Sequence, residues 1–218
     1  MQTTAPASDQ SPEAIVLVHG LYVHSDWGMA VLRYRLASMG FAAFRFSYPS
    51  VGANPEHNAR CLGSFLERIQ APTVHLVGHS LGGLVIRHLF HLSVELRPGR
   101  VVTLATPHQG SSVAARLAQT SAGLFALGKS LDHGLQGDAP AWTGARDLGV
   151  IAGSRSLGLG RMLATLNGLN DGTVAVSEAS LPNATDLVIL PVTHFGMLFS
   201  GIVARQVRQF LRSGRFGA

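Results

Sequence analysis

Short apolar segments alternate with amphipathic ones along this chain, and this alternation constrains the possible folds more than any other feature of the sequence. The apolar segments are rich in valine, isoleucine and leucine and end at glycine, proline or polar residues, as strands buried in a parallel sheet do. Six of them are predicted as strands, at residues 14–20, 42–49, 74–80, 100–107, 147–154 and 186–192. Helical periodicity follows at about residues 26–39, 55–70, 82–96 and 195–212. The pattern predicts an α/β fold, a mostly parallel sheet of about six strands with helices on both faces.

The length and composition indicate a single domain. The chain has 218 residues, of which 46% are hydrophobic, so it can bury one substantial core, which we assign to residues 14–218. Residues 1–13 are polar and are predicted to form a disordered tail, without the basic start or apolar stretch of a signal peptide. Cys61 is the single cysteine and allows no internal disulfide. We therefore expect a cytoplasmic protein, and no apolar run approaches the roughly 18 residues that would insert stably in a membrane.

The positive charge of the chain does not indicate nucleic-acid binding. The net charge of +5 comes from sixteen arginines and one lysine, which are scattered without a basic run. The one local cluster has helical spacing near the C-terminus and consists of Arg205, Arg208, Arg212 and Arg215. A solvated helix face with cations at the favourable end of the helix dipole is the expected structure, and a patch for an anionic surface is the alternative.

The segment Gly78-His79-Ser80-Leu81-Gly82 joins a predicted strand to a predicted helix. Glycines two residues to either side of the serine permit a sharp turn that exposes its hydroxyl at the carboxyl edge of the sheet, where ligands of α/β proteins bind. The N–H groups at the start of the helix lie where an oxyanion would form. We therefore predict that Ser80 is a nucleophile. His79 is expected only to pack and hydrogen-bond, with its side chain directed away from the nucleophile.

A serine nucleophile needs a base, and the usual base is a histidine held by a carboxylate. Of the ten histidines, His194 directly follows the last predicted strand, in "LPVTHFGMLF", so its loop should reach the same edge of the sheet as Ser80. A chain order of serine, acid and histidine is the one expected for this fold. His194 is therefore the predicted base.

The acid should lie between Ser80 and His194 and follow the end of a strand. Asp147 and Asp186 open predicted strands, so they belong to the opposite edge of the sheet. Asp171 lies in "NGLNDGTVAVSEA", where Asn-Asp-Gly predicts a tight turn after the fifth strand. We predict Asp171 as the acid, with Glu178 as the alternative.

Two backbone N–H groups are predicted to form an oxyanion hole. One belongs to Leu81, the residue after the nucleophile, and the other to Leu21, in the loop after the first strand. Tyr22 and His108 are predicted to contact the substrate.

Five segments of the chain resemble successive motifs of small bacterial lipases and carboxylesterases of the α/β-hydrolase superfamily: "VLVHGLY", "VHLVGHSLGG", "ATPHQGS", "NDGTVAV" and "THFGMLFS". The resemblance covers roughly residues 14–212. It implies an α/β-hydrolase fold, with Ser80 as nucleophile, Asp171 as acid and His194 as base. It also implies that the N–H groups of Leu21 and Leu81 hold the oxyanion.

Residues 108–146 interrupt the alternation of strands and helices as an insertion or small cap. Their alanines, leucines and phenylalanine have helical spacing, which fits a mobile cap with an apolar inner face. A helix packed on the sheet and followed by a loop is the favoured alternative, because a chain of this length has few residues to spare for a full lid.

The sequence therefore predicts a serine esterase or lipase that hydrolyses short- to medium-chain carboxylic esters, from a small-molecule or lipid substrate, through an acyl-serine intermediate. Acyl transfer or thioester hydrolysis at the same site is one alternative, and a non-catalytic binding protein on this fold is another. No metal or cofactor is predicted, because the chain has no cysteine pair and no His-x-x-x-His motif of the zinc type on a predicted helix. The oligomeric state stays open.

Overall fold

A six-stranded sheet lies at the centre of the protein. The computed structural model describes residues 12–22, 24–92, 95–144, 146–157 and 166–217. The strands are β1 (Ala14–Val18), β2 (Ala42–Phe46), β3 (Val74–His79), β4 (Val101–Leu104), β5 (Leu148–Gly153) and β6 (Asp186–Leu190). All neighbouring strands are parallel, in the order β2-β1-β3-β4-β5-β6. The predicted α/β fold with six strands is confirmed, and the described sheet is wholly parallel.

Helices connect the strands and cover both faces of the sheet. The longer ones are α1 (His24–Ser38), α2 (Pro55–Glu67) and α3 (Leu81–His91), and two short ones follow β4, α4 (Ser112–Leu117) and α5 (Ser121–Leu127). A 3₁₀ turn (Gly128–Ser130) and an irregular turn (Leu131–Leu135), in which Asp132 and His133 have non-helical backbone angles, come directly after α5. The last three helices are α6 (Val176–Ala179), α7 (Gly196–Phe199) and α8 (Gly201–Ser213).

The core consists of two apolar layers, one on each face of the sheet. Ala14, Val16 and Val18 of β1 belong to the layer under α2 and α3, whereas Ile15 and Leu17 belong to the layer under α1 and α8. All five side chains are fully buried. This burial on both faces explains why β1 reads as a continuous apolar run rather than an alternating one.

The predicted helix at 195–212 is two helices, because the chain breaks at Ser200. This residue has an extended ψ of 124°, and its hydroxyl oxygen accepts the Val203 N–H at 3.4 Å as the N-cap of α8. The third helix is also shorter than predicted and ends at His91. Seven residues later the chain is already bonded to the sheet, because the main-chain oxygen of Pro98 accepts the Val74 N–H of β3 at 2.8 Å.

The predicted tail falls mostly on residues 1–11, which lie outside the described residues. Glu13 contacts the domain: its main-chain oxygen accepts the Ala42 N–H at 3.0 Å, and its carboxylate pairs with Arg212 at 2.6 Å. In the described part of the chain, no helix has both the length and the apolar character needed to cross a bilayer.

The strand order places two loops side by side at the carboxyl edge of the sheet. β1 lies between β2 and β3, so the sheet grows in opposite directions from this point, and such switch points are where open α/β sheets bind ligands. Val18, the last residue of β1, pairs with Gly78 of β3. The loop after β1 therefore lies next to the turn after β3.

Candidate active site

Ser80 lies at a strained turn between β3 and α3. Its backbone has φ 52° and ψ −121°, a positive φ that residues other than glycine rarely adopt. Its N–H donates to the main-chain oxygen of Leu104 in β4 at 2.8 Å, which ties the turn to the neighbouring strand. The predicted nucleophile therefore stands at the positive end of α3, where the first N–H groups have no partner within the helix.

Two glycines allow this turn because α3 starts in close contact with the sheet. A Cβ atom on Gly78 would lie 2.7 Å from the main-chain nitrogen of Gly83. A Cβ atom on Gly82 would overlap the main-chain oxygen of Val18 in β1. Any larger residue would push the helix away from β1, and the turn that carries Ser80 would move with it.

His194 and Asp171 form a buried hydrogen-bonded pair. His194 follows β6, and Asp171 follows β5, as the sequence predicts. The imidazole Nδ1 lies 2.8 Å from the Asp171 Oδ2, and the two residues are 4% and 0% exposed. A carboxylate at this distance holds the Nδ1–H tautomer, so that Nε2 is the nitrogen left to act as a base.

A tight turn fixes the Asp171 carboxylate. Its Oδ1 accepts the N–H groups of Thr173 at 2.9 Å and Val174 at 2.7 Å, while Oδ2 bonds to the imidazole. Gly172 makes the turn possible with a φ of +92°, and its N–H donates to the Asn170 side chain at 3.0 Å. The predicted Asn-Asp-Gly turn therefore presents one carboxylate oxygen of Asp171 to His194, and the other oxygen holds the turn in place.

Glu178, the alternative acid, has a different set of partners. Its Oε1 accepts the Ser112 N–H at 2.7 Å, and its Oε2 accepts the Ala175 N–H at 2.9 Å. The carboxylate thereby joins the start of α4 to the start of α6. The structure brings His194 together with Asp171 and not with Glu178.

The loop after β1, which holds Leu21 as a predicted oxyanion donor, packs directly against Ser80. A Cβ atom on Gly20 would lie 3.0 Å from Ser80 Cβ, so only glycine fits comfortably between Leu21 and the turn. Leu81, the second predicted donor, is the first residue of α3. Leu21 also lines the apolar cavity beside Ser80 that is described below, and Leu81 directly follows Ser80.

The buried side chains of His19 and Tyr48 pack together beside the loop after β1. His19 and Tyr48 stack with centroids 4.2 Å apart, and the Tyr48 hydroxyl donates to the His19 main-chain oxygen at 2.7 Å. The imidazole Nδ1 lies 2.7 Å from the Gly20 oxygen, and Nε2 accepts the Tyr48 N–H at 3.2 Å. Burial raises the pKa of Tyr48, so its hydroxyl keeps its proton. No local sequence pattern marks these two residues, because their pairing depends on contact between the ends of β1 and β2.

An apolar cavity of about 220 Å³ opens beside Ser80 and His194. Six of its lining residues come from the insertion at 108–146, namely Ser111, Val113, Ala114, Leu117, Leu127 and Leu135. The others are Leu21, Tyr22, His79, Ser80, Pro107, Thr173, Val174, His194 and Phe195. The insertion therefore forms one wall of the cavity with the turns that follow α5 and with two short helices, α4 and α5, where the favoured alternative expects one helix.

Of the two predicted substrate-binding residues, Tyr22 lines the cavity and His108 does not. The Tyr22 hydroxyl donates to the main-chain oxygen of Ala126 in α5 at 2.7 Å, which joins the loop after β1 to the insertion. The His108 side chain is 2% exposed, and its Nε2 lies 3.1 Å from the Thr103 hydroxyl. Burial lowers the pKa of His108 to about 3, so the ring is neutral and belongs to the core. We do not retain His108 as a substrate contact.

His79 lies closer to the site than the sequence analysis expects. Instead of pointing away from Ser80, its side chain lines the cavity and its Nε2 lies 3.0 Å from the main-chain oxygen of His194.

Over the described ranges, no three histidine, cysteine, aspartate or glutamate residues group closely enough to hold a metal ion.

The parallel sheet, its helical layers and the serine at the β3–α3 turn define the α/β-hydrolase class of folds. The chain belongs to the family described as a domain of unknown function, DUF7379, whose model matches residues 1–135. This match includes Leu21, Ser80 and Leu81 and ends before Asp171 and His194. No curated protein matches the chain.

Several solved structures share the fold. The mature form of the Bacillus licheniformis lipase BlEst2 is 23% identical over 96% of each chain, with a TM-score of 0.75. Its propeptide form is 25% identical over 98% of this chain and 53% of that chain, with a TM-score of 0.74. The metagenomic carboxyl esterase MGS0156 is 18% identical over 88% and 68%, with a TM-score of 0.62. The thioesterase RedJ from the prodiginine biosynthetic pathway in Streptomyces coelicolor is 17% identical over 98% and 90%, with a TM-score of 0.53.

Proposed function

We propose that this protein is a serine hydrolase that cleaves carboxylic esters, with Ser80 as nucleophile, His194 as base and Asp171 as acid. One observation carries the proposal: the buried 2.8 Å bond between His194 and Asp171 joins a histidine that lines the same cavity as Ser80. A carboxylate and an imidazole paired in this way beside a strained serine make up the groups that acyl transfer requires. The lipase and esterase activities of two structural neighbours agree with this reaction.

The proposed reaction has two halves. In the first, Ser80 Oγ attacks the ester carbonyl carbon while His194 Nε2 takes the hydroxyl proton, and the N–H groups of Leu21 and Leu81 bind the oxyanion. The C–O bond to the alcohol then breaks, and His194 returns its proton to the leaving alcohol. In the second half, water attacks the acyl-serine in the same way and releases the carboxylic acid. Asp171 stabilises the imidazolium that forms in each half.

The substrate is proposed to carry an uncharged, short- to medium-chain acyl group. Among the described residues, no lysine, arginine, aspartate or glutamate lines the cavity, and most of its wall is apolar. An anionic or cationic acyl group would lose its hydration there without gaining a partner. A cavity of about 220 Å³ favours acyl chains that fit inside it over long chains that extend into water.

Labelling with a fluorophosphonate probe, combined with turnover of p-nitrophenyl butyrate, tests the proposal. The unmodified protein should react with the probe and hydrolyse the ester, and Ser80→Ala should do neither. Ser111→Ala is the matched control, because Ser111 is a second serine in the same cavity and its hydroxyl instead caps α4. An unreactive wild-type protein would favour the non-catalytic binding alternative.

Thioester hydrolysis or acyl transfer would use the same groups with a different leaving group or acceptor, and one of the structural neighbours is a thioesterase. Matched butyryl oxoester and thioester substrates separate these activities. A higher kcat/KM for the oxoester, with no ester product when an alcohol is added, supports the proposed hydrolase.

A further inference from the structure

His79 is a buried, titratable residue that the proposed reaction does not use. It is the last residue of β3, directly before Ser80, and it is 1% exposed. Its Nε2 lies 3.0 Å from the main-chain oxygen of His194, and the two imidazole rings are 4.8 Å apart. One residue of the nucleophile turn therefore contacts the loop that carries the proposed base.

The main chain of His194 is held at both of its polar groups. Its N–H donates to the main-chain oxygen of Asp171 at 3.0 Å, and its C=O faces His79 Nε2. The side chain adds the bond to the Asp171 carboxylate at 2.8 Å. Loops outside helices and strands depend on such bonds for a fixed position, so His79 supplies one of the bonds that set where the imidazole lies.

The chemistry of this contact defines the tautomer of His79. A carbonyl oxygen can only accept, so Nε2 must carry a proton, and in a neutral ring Nδ1 is then the bare nitrogen. Burial, together with the nearby His194 and His19, holds the pKa of His79 well below its ordinary value. The ring therefore stays neutral and remains a donor over the pH range in which a catalytic histidine works.

We propose that His79 is a positioning residue for His194: its Nε2–H fixes the His194 carbonyl and thereby aims the imidazole at Ser80. This inference rests on the proposed function, because it assigns the task of holding a base. The N–H donor at residue 79 should therefore affect kcat more than the aromatic ring does.

Three substitutions separate the donor from the packing. His79→Gln keeps an N–H donor at about the distance of Nε2, His79→Asn carries the same amide on a shorter side chain, and His79→Phe keeps the ring but has no donor. The Gln variant should keep kcat within about threefold of the wild-type value. The Asn and Phe variants should lose about 10- to 100-fold in kcat, with KM for p-nitrophenyl acetate nearly unchanged, because the base is misplaced rather than the pocket.

Nuclear magnetic resonance of the histidine rings gives a readout that does not depend on turnover. The low-field proton of His194 Nδ1–H should have the same chemical shift and intensity in the wild-type and Gln proteins. In the Asn and Phe variants this signal should weaken through exchange with water. This readout tests His79 even if the ester-hydrolase assignment is wrong.

The outcomes are distinct. Folded Asn and Phe variants with wild-type kcat and an unchanged His194 signal would overturn the proposal, and so would a Gln variant as impaired as the Phe variant. If His79→Phe fails to fold, the comparison of Gln with Asn decides in the same way.

Discussion

Asp171 binds His194 at two points. Its main-chain oxygen accepts the His194 N–H at 3.0 Å, and its Oδ2 bonds to the His194 Nδ1 at 2.8 Å. The first bond fixes the loop and the second fixes the ring, so the carboxylate charge can be removed without releasing the loop.

Asp171→Asn should therefore lower kcat strongly while the protein stays folded. The main-chain bond is independent of the side chain, and the amide oxygen can still accept the N–H groups of Thr173 and Val174. Loss of the charge that steadies the imidazolium should cost on the order of 10⁴ in kcat, by analogy with the serine-protease triad. Steady-state kinetics with p-nitrophenyl butyrate measure this loss.

Glu178→Gln is the matched control for this substitution. It removes a carboxylate that bonds only to the N–H groups of Ser112 and Ala175 in the described structure. A nearly silent Asp171→Asn together with a strongly impaired Glu178→Gln would show that Glu178 is the acid.

The size of the cavity should set the preferred acyl chain. Ala114 and Leu117 of α4 both line it. Ala114→Leu fills part of the space and should lower kcat/KM for hexanoyl and octanoyl esters by about fourfold for each methylene excluded, on the basis of about 0.8 kcal/mol per buried methylene. Leu117→Ala enlarges the cavity and should raise kcat/KM for the hexanoyl and octanoyl esters. Profiles of kcat/KM from acetyl to palmitoyl esters, taken below micelle-forming concentrations, measure the change.

Ala115→Leu controls for effects of α4 itself, because Ala115 is exposed on the same helix and is not part of the cavity wall. Its profile should match that of the wild-type protein. A steady rise to the longest chain in the wild-type protein, with a jump when an oil–water interface forms, would instead mean that the insertion works as a lipase lid.

His108 should make the protein less stable as the pH falls from about 6.5 towards 3. The unfolded chain takes up a proton near the ordinary pKa of 6.5, whereas burial holds the pKa of His108 in the folded protein at about 3. Protons therefore favour the unfolded state throughout this window. Of the loss in the free energy of unfolding between pH 7 and pH 5, about 2 kcal/mol should come from this one ring.

His108→Gln tests this contribution, because the amide can keep the contact with Thr103 and cannot titrate. Urea unfolding at pH 7 and pH 5 should show a smaller difference between the two pH values in this variant. His57→Gln, a change at an exposed histidine, is the comparison. If His108→Gln leaves the difference between pH 7 and pH 5 unchanged, then His108 takes up its proton in the folded protein as readily as in the unfolded chain.

Activity should survive treatment with EDTA. The proposed reaction takes its nucleophile, base and oxyanion donors from Ser80, His194 and two main-chain N–H groups, so no step needs a metal ion. Ester hydrolysis measured before and after dialysis against EDTA should agree. Activity that disappears and then returns with a divalent cation would contradict the proposed mechanism.

Local patterns were sufficient to predict the strands and the turn at Ser80. The apolar run of β1 is visible in the sequence itself, and one of the glycines around Ser80 reflects a constraint between residues close in sequence, the close contact of Gly78 with Gly83. The break at Ser200 escaped prediction because apolar periodicity continues across it, and only the hydroxyl cap marks the start of a new helix.

The positions of His79 and of the insertion could not be predicted for different reasons. Alternation along a strand places adjacent side chains on opposite faces, which put His79 away from Ser80, but the positive φ of Ser80 ends the alternation at that residue. The insertion forms a wall of the cavity through contacts between distant parts of the chain, such as the bond from Tyr22 to Ala126. Nothing in the local pattern of 108–146 encodes such contacts.

Direct detection of the acyl-enzyme tests the central claim most sharply. The protein is mixed with a p-nitrophenyl ester, quenched in acid within the first turnover, digested with trypsin and analysed by mass spectrometry. Cleavage after Arg68 and Arg87 releases a peptide, residues 69–87, in which Ser80 is the single serine. The account predicts the mass of the acyl group on Ser80 in this peptide and none in Ser80→Ala. An acyl group on another residue, or normal turnover by Ser80→Ala, would contradict it.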